Sequence, residues 1–140
     1  MPLRIGTAAL ALLVAGWLAL SLHNAVRTIR AFELTLAAAA LGPSGDANGR
    51  RGYAQRVLAS ARSARALNPD RAPDTYAALA VWLLGRRAES LRQLDALARA
   101  QPDDAFVWLS MLTVARGADP AREARARARI AVLHPPPPGR

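Results

Sequence analysis

Arg71 to Asp104 reads RAPDTYAALAVWLLGRRAESLRQLDALARAQPDD, and its punctuation predicts two short helices joined by a tight turn. Asp74 stands as a cap before Tyr76, Leu79, Val81 and Leu83, and Gly85 ends that run. From Arg86 to about Ala100 the pattern resumes, with Ala88, Leu91, Leu94, Leu97 and Ala98 expected on the inward face. The reading extends in both directions. Asp103 or Asp104 caps Ala105 to Arg116, Gly117 breaks that helix, and Asp119-Pro120 opens a last one with the preferred N-cap and first-turn residues. Toward the N-terminus, Thr28 to Leu41 and Arg51 to Leu67 make a less regular pair. Pro69, Pro102 and Pro135 follow helical runs at intervals of 33 residues, a period that marks repeat architectures. No pair carries enough apolar surface to stand alone, so the pairs must stack.

These residues resemble tetratricopeptide repeats. Arg71 to Asp104 fits one 34-residue unit without a gap, with Gly85 at the turn, Ser90 at the small position opening the second helix, Leu94 and Leu97 on its packing face and Pro102 at the closing proline. Ala105 to Pro135 fits a second with a short deletion, which puts Trp108, Met111, Leu112, Ala115, Ala124, Ala128 and Ala131 on packing positions. The unit departs from the family at Asp74, where Trp is common, at Ala78, where Gly is common, and at Leu97, where a small residue is common. The resemblance implies an interaction scaffold rather than a chemistry. Its inner groove would be lined by Ala72, Thr75, Leu79, Trp82 and Leu83, then by Phe106, Leu109, Thr113 and Arg116. Trp82 beside leucines would anchor a partner helix or extended peptide, or else fill the core between hairpins.

Ahead of the repeats, Ile5 to Leu22 is an 18-residue stretch without a charge, about 27 Å as a helix. It reads as an uncleaved membrane anchor, because it exceeds the usual signal-peptide core and its helical pattern continues to Gly42-Pro43. Cleavage near Ser21 is the rival. Residues 1–41 are therefore anchor continuing into a first helix, 42–49 a loop, 50–134 the helical repeats and 135–140 a proline-rich tail. The fold class expected is all-α, one N-terminal transmembrane helix followed by a short TPR-like solenoid. Arg4 against Arg27 and Arg30 leaves the positive-inside count close to a tie; the short N-terminal tail favours a domain outside the cytoplasm.

Composition excludes more than it assigns. The chain has no Cys, hence no disulfide, thiolate metal site or cysteine nucleophile. Its net charge of +9 is carried by 19 Arg and no Lys beside 33 Ala, the mark of a GC-rich genome rather than of a nucleic-acid partner. His23 and His134 stand where no preorganised site forms, and Asp70, Asp74, Asp103, Asp104 and Asp119 sit at helix starts, where capping explains them. Neither a cofactor nor a metal nor a catalytic role is expected. On the last helix Arg122, Arg125 and Arg129 share one face, opposite Ala124, Ala128 and Ala131. That stripe suits anionic lipid, an acidic polysaccharide or simply solvent. The expected function is an adaptor or accessory subunit of a bacterial inner-membrane complex, by analogy with accessory components of exopolysaccharide export. The alternative is a structural subunit bound through its transmembrane helix, which Gly6, Ala9 and Ala15-Gly16 permit.

Overall fold

Between Pro2 and Ala40 no proline or glycine pair interrupts a run rich in Ala and Leu, and the chain forms one 39-residue helix, α1 (Pro2–Ala40), about 58 Å long. The computed structural model describes residues 2–40, 46–65, 68 and 71–134, with side chains from residue 12 onward apart from 39–40. Among the described residues the chain is all-helical: α1 is followed by α2 (Ala47–Arg65), α3 (Ala72–Leu83), α4 (Arg87–Ala100), α5 (Ala105–Ala115) and α6 (Pro120–Leu133). Along Leu12–Ala38, α1 is long and apolar enough to cross a membrane. Leu12, Leu13, Val14, Trp17, Leu18 and Leu22 are all exposed, as they would be to lipid.

The Asp46 carboxylate accepts hydrogen bonds from the backbone N–H of Asn48 and of Gly49, each at 2.9 Å. This cap starts α2 at Ala47, inside the stretch read as loop 42–49, whose residues 42–45 lie outside the described set. α1 and α2 pack together as a hairpin. Asn24, Ala31, Leu34 and Ala38 are buried on α1, and Ala54, Val57, Ser60, Ala61 and Ala64 on α2, so the close approach is made by small side chains.

Gly85 and Gly117 end α3 and α5 with φ of +83° and +67°. Both lie in the left-handed region that costs a residue with a Cβ about 1 kcal/mol. A Cβ at either position meets no atom within 4 Å, so the cost is torsional alone. Gly85→Ala and Gly117→Ala are each expected to lower stability by about 1 kcal/mol in chemical denaturation, and to add when combined.

Three local expectations are corrected. α3 begins at Ala72, with Arg71 at the N-cap and Pro73 in the first turn, where its missing N–H is harmless. Asp74 is thus inside the first turn rather than a cap, facing the positive end of the helix and pairing with Arg65 at 3.3 Å. Ala88 is exposed, whereas Leu91, Leu94, Leu97 and Ala98 are buried as expected. On α6 the register of the packed face is reversed: Ala124, Ala128 and Ala131 are exposed, and Ala126 is fully buried. Pro69, Asp70 and Pro135 to Pro138 lie outside the described residues.

The packed face of α6 carries Ala126 with Ile130 and Leu133 against the core, and carboxylates elsewhere in the fold hold the arginines beside it. Asp95 of α4 accepts from the Arg122 Nε at 2.9 Å and pairs with Arg125, while Arg129 donates its Nε to the Pro102 carbonyl at 3.0 Å and pairs with Asp103. The arginine stems lie against the fold and their heads reach these acceptors. Pro102 O also accepts from Trp108 Nε1 at 2.7 Å, so the α4–α5 turn ties α5 and α6 together. Each odd-numbered helix packs on its chain neighbours, α3 also packing on α1 and on α5. One cluster centred on Leu94, Val107, Met111 and Val114 joins α3, α4, α5 and α6; a smaller one of Ala31, Leu34, Ala54, Val57 and Ala80 joins α1, α2 and α3. Tyr76 touches both.

Asp104 caps α5 by accepting from Phe106 N at 2.8 Å, and Asp119 caps α6 by accepting from Arg122 N at 3.0 Å. The backbone N–H and then the guanidinium of Arg122 hold the Asp119 carboxyl below its ordinary value. The native group therefore takes up a proton less readily than the unfolded one. Its contribution is fully present above the usual carboxylate range, near about pH 4, and is lost as the pH falls through that range toward the depressed native value. Denaturation midpoints measured across the acid limb in mild detergent are expected to fall less steeply for Asp119→Asn than for the parent chain.

Candidate functional site

α1, α3 and α5 line one side of the stack, and between them lies an open groove of about 250 Å³. α3 contributes Leu79, Trp82 and Leu83; α5 contributes Phe106, Leu109, Ser110 and Thr113; α1 contributes Thr35. None of these side chains is charged. Thr35 Oγ1 donates to Ala31 O at 2.8 Å and Thr113 Oγ1 to Leu109 O at 2.9 Å, so both hydroxyls are turned onto their own helices and present methyls. Ser110 Oγ is buried with no hydrogen-bond partner among the described residues.

Of the residues selected from sequence, Leu79, Trp82, Phe106, Leu109 and Thr113 meet in this groove. Thr75 does not line it and is fully buried, and Arg116 is exposed at the end of α5 outside it. Trp82 and Phe106 are half-buried against the larger core cluster, and Phe106 packs on Tyr76 with ring centroids 5.0 Å apart. They are thus both core and wall. Leu109 is 47% exposed, the large apolar side chain the groove leaves most open to a partner. Thr35 was not anticipated, because its place depends on how α1 crosses α3.

A second apolar feature adjoins the groove. Val26, Ile29, Phe32 and Leu36 are exposed on α1 beyond Leu22, on the side that α2 leaves uncovered. Phe32 lies 6.2 Å from Tyr76 by ring centroids, and Tyr76 in turn packs on Phe106 of the groove, so this strip continues the uncharged run toward it.

The arginines of α6 are paired with carboxylates rather than presented as a free stripe: Arg122 and Arg125 hold Asp95, and Arg129 holds the exposed Asp103. Each of the nine carboxylates among the described residues has an arginine or backbone N–H partner, as Glu33 with Arg30, Glu89 with Arg86 and Glu123 with Arg127. The remaining six are Asp46, Asp74, Asp95, Asp103, Asp104 and Asp119, described above. The described residues contain no group of three or more His, Asp or Glu placed to hold a metal ion.

The molecule so defined is an all-helical chain of stacked hairpins whose first helix has the length and apolarity to span a membrane. Comparison with protein-family models, with curated proteins and with solved structures finds no match.

Proposed function

We propose that this protein is a membrane-anchored adaptor, its hairpins forming a short TPR-like solenoid that captures a partner segment in the groove between α1, α3 and α5. The observation that carries the reading is the convergence of Trp82 and Leu79 from one hairpin with Phe106 and Leu109 from the next on a single uncharged concave surface. Such a surface, apolar with an aromatic anchor at its centre, is what helix-in-groove recognition requires. The carboxylates are absorbed by caps and ion pairs, which fits a scaffold without chemistry of its own. The anchor would hold the groove within a few nanometres of the bilayer and so raise its effective concentration for a membrane partner. A bacterial inner-membrane complex, with the domain on the periplasmic side and exopolysaccharide export as the setting, is the context proposed by analogy.

Leu109→Arg tests the reading. The side chain is half-exposed, so stability should change by less than about 1 kcal/mol, while a charge in the groove should weaken partner capture at least tenfold. A photo-crosslinker at Leu109 should trap a partner in intact cells and one at exposed Ala124 should not; equal yields would reject the groove.

The strip Val26, Ile29, Phe32 and Leu36 supports the second reading, a structural subunit held by helix-to-helix contact along α1. Crosslinks from Ile29 without crosslinks from Leu109 would favour it.

A further inference from the structure

On the opposite side of the stack, α2, α3 and α4 enclose a groove of about 580 Å³ whose charged lining is Arg62, Arg65, Arg71, Asp74, Arg86 and Glu89. Arg65 is held by Asp74 and Arg86 by Glu89. Among the described residues the side chains of Arg62 and Arg71 carry no ion pair, so one end of the groove gathers three guanidiniums, of which Arg65 alone is held by a described carboxylate, that of Asp74. Arg71 is also the N-cap of α3, whose helix dipole adds positive potential at the same end.

Within the apolar part of α1 the uncharged run ends at Leu22, ahead of Arg27, Arg30 and Glu33, and the height of the groove end above that run is set by α1. His23 Nε2 lies 3.4 Å from Ser63 Oγ, which places Ser63 level with the residue directly after Leu22. Arg62 is the neighbour of Ser63, and Arg65 lies about 3 Å further along α2, toward the span. If the first helix spans the bilayer as proposed above, these guanidiniums stand in the headgroup layer, where a phosphate diester is the abundant anion and where a guanidinium binds it in bidentate fashion.

We propose that this end of the groove, Arg62 with Arg65 and Arg71, holds the headgroup phosphate of an anionic phospholipid. The site orients the stack on the bilayer surface, and α6, whose arginines are engaged by Asp95 and Asp103, takes no part in it.

The experiment uses the full chain in bilayers of phosphatidylcholine mixed with phosphatidylglycerol, gently extracted, with co-purifying lipid identified by mass spectrometry. The parent chain should retain phosphatidylglycerol in preference to phosphatidylcholine, and Arg62→Gln with Arg71→Gln should lose that preference by roughly tenfold. Arg62→Lys with Arg71→Lys should keep most of it. The charge-matched control is Arg51→Gln with Arg87→Gln, at the far ends of α2 and α4, and should leave the preference unchanged. An equal loss in the control would mean net charge alone acts, and would overturn the site. Displacement of the lipid by excess inorganic phosphate would assign the groove to a soluble anion and overturn the lipid source. A chain that resists alkaline extraction yet shows no lipid preference overturns this inference alone, whereas a chain washed off by alkali overturns the membrane reading on which it rests.

Discussion

Leu94→Ala is expected to lower the unfolding free energy by about 3 kcal/mol, the largest loss from a single truncation in the hairpin stack. Leu94 has no exposed surface, and it is the largest of the fully buried side chains. It sits mid-way along α4 in the cluster that also takes Leu79 from α3, Met111 and Val114 from α5 and Ala126 from α6. Removing its branched end leaves a cavity bordered by four helices, none free to close in without breaking another contact. In a stack stabilised mainly between neighbours, the loss at α4 falls on both interfaces at once. Thermal melts followed by circular dichroism should show a fall of roughly 10 °C or more, using about 4 °C per kcal/mol as the lower bound for a domain of this size. Leu109→Ala, at the half-exposed groove position, serves as the comparison and should cost under about 1 kcal/mol; similar losses at the two positions would contradict the core assignment.

Leu13→Arg is expected to weaken membrane insertion of α1 by about 3 kcal/mol, more than a hundredfold in the insertion equilibrium. Leu13 is 72% exposed, and it lies at the middle of the uncharged run from Ile5 to Leu22. Under the anchor reading its surroundings are hydrocarbon, and an arginine there is too far from either interface for its head to reach water freely. Alkaline extraction of membranes should move the variant from the pellet toward the soluble or aggregated fraction. The same substitution at Ile29, exposed on α1 past the end of the uncharged run and already flanked by Arg27 and Arg30, should change extraction far less. Retention of the Leu13 variant together with the parent would show that α1 does not span.

The hairpins were legible because their punctuation is local. A glycine that must take positive φ, as Gly85 and Gly117 do, ends a helix whatever surrounds it, and an Asp-Pro pair such as Asp119-Pro120 starts one for equally local reasons. Part of the groove followed from the resemblance to tetratricopeptide repeats, which put Leu79, Trp82, Phe106, Leu109 and Thr113 on its lining, and helical spacing is consistent with Leu79 and Trp82, and Leu109 and Thr113, sharing a face. Asp46 as a cap was missed although its signal is present, an acidic residue followed closely by the N–H groups of Asn48 and Gly49, because turn-type residues on both sides masked where the helix begins. The cap expected at Asp74 falls three residues earlier, at Arg71, because Pro73 is as compatible with the first turn of a helix as with the loop before it.

α6 marks where local reasoning stops. Its sequence from Pro120 to Leu133 alternates Ala with Arg so closely that one face offers methyl groups and another offers long aliphatic stems, and either can cover a neighbouring helix. The face that packs carries Ala126, Ile130 and Leu133, and it is held by Asp95, 27 residues from Arg122 and 30 from Arg125 in the chain, together with the Pro102 carbonyl within reach of Arg129. Asp95 has Arg99 at helical spacing on its own helix, yet it pairs with Arg122 and Arg125 of α6.

The sequence by itself thus determined the number, type and approximate ends of the helices from Arg51 onward and the apolar length of the first one, since each depends on backbone preferences and periodicity within one segment. Only the tertiary structure decided which face of α6 is buried, that Thr35 joins the groove, and that Arg62 and Arg71 share a groove with Arg65 while α2 near Ser63 stands level with His23. Those outcomes depend on distances between side chains far apart in the chain, and a charge's partner is chosen by reach in space rather than by spacing along a helix.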